Sequence, residues 1–335
     1  MAIASHSKAT RPPLWKVWFV AARPHTLTAS LSPVIVGYAL TFYTVRDVEK
    51  GTLWSLTAQW ASFCMLVQLG TNLHNDYADF VKGADTDKRL GQARATQKGW
   101  LTPAQTAGAS TFLLFLALVL GLSFISLVHG SSLSRTYSMV FIVTSSIFNA
   151  FAYTGGPWPL GYIGLGNFSI GYSGLGDLFV FLYFGLVATL TLPFLYLCKR
   201  HPNGNVEQTL WKLLYYAIPV ATLATNIIVV NNLRDRHTDV HAHKRTLAVR
   251  LGATFCKVEF VTMIAIAYGL VVWDACSRSF VLIRLLPLLS FPLARKEIVA
   301  IYTKDGSDLN PHVGGSAKVQ FLFCILMSIS LLKSV

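Results

Sequence analysis

Two stretches of this chain combine aspartate and asparagine with basic residues at spacings that suit phosphate chemistry. The first runs from Asn75 to Asp85 and the second from Asn231 to Asp239, and each follows a long apolar stretch. Only 15 of the 335 residues are Asp or Glu, so acids are concentrated here. Like charges repel when they are crowded, and a divalent cation between them removes that repulsion. Oxygen ligands suit Mg²⁺, which proteins usually hold through a few carboxylates together with substrate phosphates.

The spacing of these polar residues predicts that their side chains share one face of a helix. Asn75 and Asp79 are four residues apart in the first stretch, and the second stretch repeats this interval at Asn231, Asp235 and Asp239. Residues four apart lie one turn above each other on a helix. Each stretch is therefore predicted to project oxygen ligands in one direction, toward a shared metal and diphosphate.

Basic residues accompany the acids and complete a set that suits a departing diphosphate. Asp85 lies beyond Gly83, where we expect the helix to end and the chain to curl back. Arginine binds phosphate through two parallel hydrogen bonds, and lysine acts as a point charge. A bound Mg²⁺ would neutralise charge on the leaving group. The predicted diphosphate-binding residues are Lys82, Arg94, Lys98, Arg234 and Lys244.

The composition indicates that helices in a membrane position these residues. The chain is 53% apolar and 13% charged, with a mean hydropathy of +0.50, whereas soluble domains carry about 25% charged residues. Apolar stretches long enough to span a bilayer predict an all-α membrane protein with about nine transmembrane helices around a central cavity. Residues 1–23 form a tail and an interfacial segment, and residues 24–335 form one multi-pass domain. The candidate spans are roughly 24–44, 54–73, 103–128, 136–153, 178–198, 210–230, 255–273, 279–294 and 317–333.

The distribution of Lys and Arg predicts that both acidic stretches lie on the same side of the membrane. Counted over the loops that nine spans would create, one side carries eighteen basic residues and the other carries six. Such an excess marks the inner side. Both stretches, after the second and sixth spans, fall there. Four spans separate them, which predicts two pseudo-equivalent four-helix units and a ninth helix.

Other readings of the composition are disfavoured. The net charge of +13 comes from residues dispersed at span ends, so no nucleic-acid partner is expected. The five cysteines show no CxxC spacing, which indicates neither a zinc site nor a disulfide framework. Three histidines near the second stretch, His237, His241 and His243, are expected to be solvated.

A local repeat marks the loop near residues 154–176. The sequence GYIGLGN at 161–167 recurs as GYSGLGD at 171–177. Glycine permits a close approach of the backbone to a ligand, so the loop is interpreted either as a segment that contacts a ligand or as a flexible connection, with equal weight.

Together the two acidic stretches resemble the signature regions of the UbiA superfamily of intramembrane prenyltransferases. They are most similar to the branch that prenylates 1,4-dihydroxy-2-naphthoate on the way to menaquinone or phylloquinone. The matching residues are NDYADFVKGADTDKRLGQARATQKG at 75–99 and NNLRDRHTDVHAHKRTLAVRLG at 231–252. Three shorter matches are AARPHTL at 21–27, YTGGPWPLGYIGLG at 153–166 and GLGDLFVF at 174–181.

The resemblance implies a Mg²⁺-dependent enzyme that transfers a polyprenyl or phytyl group from its diphosphate to 1,4-dihydroxy-2-naphthoate, with loss of carbon dioxide. It also implies an integral protein of a bacterial plasma membrane or a plastid membrane. The residues to which it assigns roles are Asp76, Asp79, Asp235 and Asp239 in catalysis, Asn75, Asp79, Asp85, Asn231, Asp235 and Asp239 at the metal, and Arg23, Asn72, Tyr153 and Asn232 at the acceptor.

Several positions depart from the family pattern. Gly83 stands where hydroxybenzoate-using members have Asp, and Asp85 replaces that acid, as in the naphthoate branch. His25 and His243 stand where the branch usually has Lys and Gly. The duplication leaves two candidates, Asn167 and Asp177, for the family's acidic position, and we expect Asp177 because LFVFLYFG follows it.

The alternatives are a different aromatic acceptor, such as homogentisate or 4-hydroxybenzoate, a cation-coupled transporter, and a lipid-alcohol phosphotransferase. A transporter would need acids near the middle of the bilayer, whereas here they cluster at the ends of spans.

Overall fold

The structure is a computed structural model that describes residues 12–85, 90–92, 94–155, 170–171, 173–277 and 281–334, without the side chain of residue 25. Within these ranges the chain is helical and contains no strand. The helices are α1 Leu14–Ala22, α2 Leu27–Thr44, α3 Lys50–Val81, α4 Pro103–His129, α5 Leu133–Ala152, α6 Gly176–Arg200, α7 Val206–His241, α8 Leu247–Ser277, α9 Phe291–Thr303 and α10 Asn310–Leu332.

Each of the nine candidate spans coincides with a helical stretch of the described residues, and the all-α fold class is confirmed. The eighth candidate, which contains two prolines, consists of the 3-10 stretch Leu282–Ser290 continued by α9. Six helices of the described chain are both long and apolar enough to cross a membrane, namely α2, α4, α6, α7, α8 and the stretch Gly306–Leu332 that contains α10. The number nine therefore stays a prediction.

Two large hydrophobic cores hold the helices together, and α2 belongs to both, while a smaller third core packs α1 against α3. The first core joins α2 to α3, α4, α5 and α6 around Trp60, Phe63 and Phe124. The second joins α2 to α7, α8, α9 and α10 around Phe260 and Phe323. This division resembles the predicted pair of helical units, and it leaves space between the units for a cavity.

The outer surface is apolar, as a lipid-facing surface should be. Large side chains such as Phe112, Phe141 and Trp273 are 60%, 66% and 67% exposed. A soluble monomer rarely exposes apolar surface on this scale, whereas a lipid environment favours it. The apolar helices and this surface identify an integral membrane protein. On the short α1, Trp15 is 71% exposed while Val17 and Ala21 are fully buried, which suits the predicted interfacial segment.

Helix α6 contains a wide π-helical stretch, Val180–Val187. Stretches of this kind often occur at functional sites. Within it Gly185 packs so closely on α7 that a Cβ there would lie 2.1 Å from the Ala221 Cβ. Small residues allow membrane helices to approach in this way. The contact brings α6, which begins beside Asp177, against the helix that carries the second acidic stretch.

Candidate active site

A cavity of about 340 Å³ opens between the two helical units, and both acidic stretches line it. The first stretch contributes the C-terminal end of α3 and the second contributes the C-terminal end of α7. Stretches more than 150 residues apart in sequence therefore meet at one place. The predicted site residues that line the cavity are Arg23, Asn72, Asn75, Asp79, Arg94, Tyr153, Asn231, Asn232, Asp235, Asp239 and Lys244.

The first stretch is organised around Arg94, which is only 6% exposed. Its Nη1 lies 2.7 Å from Asp79 Oδ2 and 3.2 Å from Asp85 Oδ2, and it donates a hydrogen bond of 2.6 Å to the Asn75 carbonyl. Its Nε lies 3.6 Å from Asp76 Oδ1. One guanidinium therefore lies against three buried carboxylates, two of which also pair with Arg23 or Lys244, and buried charges need such partners.

Asp76 lies behind the cavity and pairs with the start of the membrane domain. It is fully buried, and Arg23 Nη2 forms an ion pair with its Oδ1. Arg23 has a φ of 50°, in the left-handed region that non-glycine residues rarely adopt. A left-handed residue suits the end of a helix, and the Arg23 N–H donates to the Phe19 carbonyl of α1 at 3.2 Å. Arg23, predicted to contact the acceptor, lines the cavity, whereas Asp76 does not.

Helix α3 ends as predicted, just before Gly83. That residue has a φ of 68°, and the chain then curls back so that the N–H groups of Ala84 and Asp85 donate to the Asp79 carbonyl at 2.9 and 3.3 Å. A left-handed residue after the last helical turn satisfies carbonyls that the helix leaves without partners. The turn is what carries the Asp85 carboxylate back to Arg94.

The second stretch ends in the same turn. His243 has a φ of 55°, and the Lys244 N–H donates to the Asp239 carbonyl at 2.8 Å. By this geometry Asp239 corresponds to Asp79 and His243 corresponds to Gly83. A left-handed backbone favours glycine, and this chain has histidine at that place.

The cation of the second stretch comes from its own helix. Arg234 donates to Asp235 through Nε and Nη2 at 2.8 and 2.5 Å, and its Nη2 donates to Asn231 Oδ1 at 2.8 Å. Arg234 itself does not line the cavity. It orients Asn231 and Asp235 from behind, so its predicted contact with diphosphate would require a rearrangement.

Lys244 joins the two stretches across the cavity. Its Nζ lies 3.4 Å from both carboxylate oxygens of Asp79. The lysine follows the end of α7, whereas Asp79 is near the end of α3. A cation from one unit therefore faces an acid of the other, which is the arrangement needed to hold an anion and a metal between them.

Tyr153 forms the wall beside the glycine-rich loop. The Gly171 N–H donates to the Tyr153 carbonyl at 2.7 Å, and a Cβ at Gly171 would lie 3.1 Å from the ring. In the second copy of the repeat, glycine therefore permits close packing on Tyr153. Asp177 is the second residue of α6, and Asn232 Nδ2 donates to its Oδ2 at 3.4 Å. The first copy, including Asn167, lies outside the described residues.

Besides Asp76 and Arg234, three predicted residues are placed away from the cavity wall. Lys82 donates to the Thr154 carbonyl at 2.5 Å, and burial lowers the pKa of this lysine. Lys98 is exposed, because it follows the turn that begins at Arg94. Asp85 is held against Arg94. Their roles toward diphosphate and metal stay predictions.

The donor set of the cavity fits Mg²⁺. No group of three His, Cys, Asp or Glu side chains converges at metal-binding distance among the residues that the structure describes, and Arg94, Arg234 and Lys244 pair with carboxylate oxygens here. The carboxylates of Asp79 and Asp239 nevertheless face one cavity together with amide oxygens. Hard oxygen ligands of this number suit a cation that also takes phosphate oxygens.

Sequence reasoning missed a polar row that precedes the first stretch. Gln68 Nε2 donates to Asn72 Oδ1 and to Thr26 Oγ1, each at 3.2 Å, and Asn72 Nδ2 donates to the Ala22 carbonyl at 3.0 Å. Gln68 and Thr26 line the cavity. The four-residue interval from Gln68 to Asn72 would have found them. Thr154, which donates to Asn75 Oδ1, was also missed.

An apolar pocket of about 90 Å³ adjoins the cavity. It shares Gln68, Thr71, Tyr153, Val180 and Phe184 with the cavity wall. Aromatic rings line it further in, among them Trp60, Phe63, Phe179 and Tyr183. The charged cavity therefore continues into a dry, aromatic space, as a substrate with a polar head and an apolar body requires.

Solved structures share this fold. The chain resembles the apo structure of a UbiA homolog from Aeropyrum pernix K1, with a TM-score of 0.64 at 10% identity over 92% of this chain and 97% of that one. It also resembles a UbiA homolog from Archaeoglobus fulgidus bound to DMAPP and Mg²⁺, with a TM-score of 0.57 at 11% identity over 95% and 99% of the two chains.

Curated relatives are similar over most of their length. A 1,4-dihydroxy-2-naphthoate octaprenyltransferase of Haemophilus influenzae is 30% identical over 95% of this chain and 96% of its own. A protein of the same name from Bacillus subtilis is 28% identical over 96% and 92%. The UbiA prenyltransferase domain-containing protein 1 of Homo sapiens is 28% identical over 83% and 72%. The UbiA prenyltransferase family profile matches residues 30–309, and the chain belongs to that family.

Proposed function

We propose that this protein transfers a polyprenyl or phytyl group from its diphosphate to 1,4-dihydroxy-2-naphthoate and that carbon dioxide is lost in the reaction. The reaction would supply menaquinone or phylloquinone biosynthesis. The observation that carries the proposal is the meeting of the two acidic stretches at one cavity that continues into an aromatic pocket. The names of the relatives from Haemophilus influenzae and Bacillus subtilis support the choice of acceptor.

The diphosphate would lie between the ends of α3 and α7. Arg94 and Lys244 provide positive charge from the loops that follow the two helices, and Asp79 contacts both. Mg²⁺ would be held by Asp79, Asp235, Asp239 and the neighbouring Asn75 and Asn231, and it would stabilise the charge on the departing diphosphate. Arg94 and Asp79 already contact each other at 2.7 Å, so this side of the site can stabilise the leaving group with little reorganisation.

Breaking of the allylic C–O bond sends the electron pair to the diphosphate and leaves a delocalised carbocation. Water would quench that cation, so the site must be dry. The adjoining pocket meets this need, because Trp60, Phe63 and Tyr183 line it with aromatic faces that favour a cation.

The new bond forms when the electron-rich naphthalene ring attacks the allylic carbon. If attack comes from the carbon that bears the carboxylate, the C–CO₂ bond then breaks and its electron pair restores the aromatic ring. Prenyl cation and carboxylate anion together give a neutral quinol and carbon dioxide. No proton leaves that carbon, so the step needs no basic side chain. An acceptor that is prenylated at a carbon bearing hydrogen would need a basic side chain to remove that proton.

The decisive experiment is an assay of the purified full chain with octaprenyl or phytyl diphosphate. The acceptors are 1,4-dihydroxy-2-naphthoate, homogentisate and 4-hydroxybenzoate, each with Mg²⁺ or with EDTA. We expect turnover with the naphthoate alone, release of one carbon dioxide for each prenyl group transferred, and loss of activity in EDTA. Preference for a different acceptor would replace the naphthoate assignment. Absence of transfer to any acceptor would remove the enzyme proposal.

Asp79→Ala tests the assigned residues. We expect kcat/KM to fall by at least about 100-fold, because the change removes a carboxylate from the wall shared by Arg94 and Lys244. The matched control is Asp47→Ala, which removes an exposed acid outside the cavity and should keep wild-type activity. Full activity of Asp79→Ala would exclude the mechanism.

The location follows from the same proposal. Relatives from bacteria suggest the plasma membrane, and a plastid membrane is the alternative for a phytyl-transferring enzyme.

The length of the prenyl donor that the enzyme prefers is tested by competition between octaprenyl and phytyl diphosphate in the assay above.

A further inference from the structure

The first residue of α10 lies between the two acidic stretches. Asn310 Oδ1 accepts a hydrogen bond of 3.1 Å from Arg234 Nη1, and Asn310 Nδ2 donates one of 2.7 Å to the Leu90 carbonyl. Leu90 belongs to the loop that connects Asp85 to Arg94. One amide side chain therefore contacts the loop of the first stretch and the guanidinium of the second.

The contact with Arg234 bears directly on the cavity. The other nitrogens of this guanidinium donate to Asp235 and Asn231, both of which line the cavity. A guanidinium is planar and rigid, so fixing one nitrogen fixes the directions of the others. Asn310 thereby fixes the orientation of the Arg234 guanidinium plane relative to Asp235 and Asn231.

The start of α10 is itself firmly attached. Arg236 pairs with Asp305 just before the helix. Inside it, His312 Nδ1 lies 2.6 Å from Glu297 Oε2, and Lys304 Nζ lies 2.9 Å from His312 Nε2. None of these residues lines the cavity. These contacts fix the start of α10, from which Asn310 reaches both stretches.

We propose that Asn310 is a positioning residue that couples the two acidic stretches, so that the diphosphate meets both in one fixed arrangement. The inference rests on the proposed function, because the ligand is taken to be a diphosphate. An amide suits this task since it accepts through one atom and donates through the other. Aspartate at the same place would accept from Arg234 but could not donate to the Leu90 carbonyl.

The test compares wild type, Asn310→Ala and Asn310→Asp as purified full chains. Binding is measured with inorganic pyrophosphate and Mg²⁺, and turnover with a polyprenyl diphosphate and the naphthoate. For Asn310→Ala we expect the pyrophosphate Kd and the KM for prenyl diphosphate to rise about three- to ten-fold, while kcat and the acceptor KM change less than about two-fold. Asn310→Asp should show a smaller rise, of about two- to four-fold.

Ser316→Ala is the matched control. Its hydroxyl donates to the His312 carbonyl at 3.0 Å within α10, away from Arg234. It should leave the pyrophosphate Kd and the KM values at wild-type levels. The midpoint of thermal unfolding is recorded for every variant.

The outcomes separate the coupling from the proposed function. An unchanged Kd and KM in Asn310→Ala overturns the coupling, whether or not its unfolding midpoint falls. Wild-type values in Asn310→Asp also overturn it, because the link to Leu90 would then be dispensable. If the wild type prenylates no acceptor but Asn310→Ala still binds pyrophosphate more weakly than the wild type does, the coupling stands and the enzyme proposal is removed. A wild type that binds no pyrophosphate removes both.

Discussion

The two acidic helix ends have the same left-handed backbone turn, but they differ in where the cation that pairs with their acids comes from. At the end of α3, Arg94 comes from a separate loop and forms ion pairs with Asp76, Asp79 and Asp85. At the end of α7, Arg234 belongs to the same helix as the Asp235 that it contacts. The first arrangement therefore depends on tertiary structure, whereas the second is largely local.

This difference indicates separate tasks for the two ends. The first end buries several acids around one cation, so its geometry is set when the loop between α3 and α4 folds onto the helix. The second end keeps Asp235 partly accessible, with 14% of its side chain exposed. We interpret the first as the buried wall of the cavity and the second as the side that is more accessible to a ligand.

The largest expected effect separates the two arginines. Arg94→Ala would leave three buried carboxylates without their shared cation, and breaking a buried pair from one side costs about 3–5 kcal/mol of unfolding free energy. Arg234→Ala should cost about 1–2 kcal/mol, because Asp235 remains open to water. Thermal or denaturant unfolding of both variants in the same detergent measures the difference. Equal destabilisation would contradict the distinction between a tertiary and a local cation.

A smaller effect concerns the shared left-handed turn. Gly83→Ala should lower the unfolding free energy by about 1–2 kcal/mol, because an L-residue is strained at this φ. A Cβ at Gly83 would meet nothing within 4 Å, so strain alone is being measured. The reverse change, His243→Gly, should raise the stability by about 0.5–1 kcal/mol. Destabilisation by His243→Gly would show that the histidine ring contributes more than its backbone strain.

The smallest effect is expected at the exposed ion pair that attaches the second stretch to the start of α10. Arg236 lowers the pKa of Asp305 to about 2. A lowered carboxyl pKa stabilises the fold above the ordinary pKa near 3.8, and this stabilisation is lost as the pH falls from about 4 to about 2. Asp305→Asn should therefore melt below wild type at pH 6 and together with it near pH 2. Salt should shrink the difference at pH 6, because the Asp305 side chain is 56% exposed. A difference that is constant with pH would contradict this assignment.

The lengths of the apolar stretches predicted the helices, the four-residue interval predicted a shared helical face, and the distribution of Lys and Arg predicted that both acidic stretches lie on one side. The interval from Asn75 to Asp79 predicted a shared helical face, and the structure puts both residues on the cavity wall. Asp76 is rotated by about 100° from Asn75 on the same helix. That rotation explains why it faces Arg23 behind the cavity.

The residues that sequence reasoning could not rank lie in irregular segments. Arg94 and Lys98 are basic residues of one loop, yet Arg94 is buried among acids and Lys98 is exposed. Loop conformation depends on long-range packing, which spacing does not encode. The contact of Asn310 with Arg234 joins residues 76 positions apart and follows only from the docking of α10. The π-helical stretch of α6 likewise gives no periodic signal.

The sharing of α2 by both hydrophobic cores has a consequence for the order of assembly. The helix contacts α10, and Val36 and Leu40 of α2 pack in the same core as Val319 and Phe323. During synthesis α2 emerges before α10. One flank of α2 therefore lacks its helical neighbour until α10 has been made, and a chain that stops before Asn310 would leave that flank of α2 uncovered.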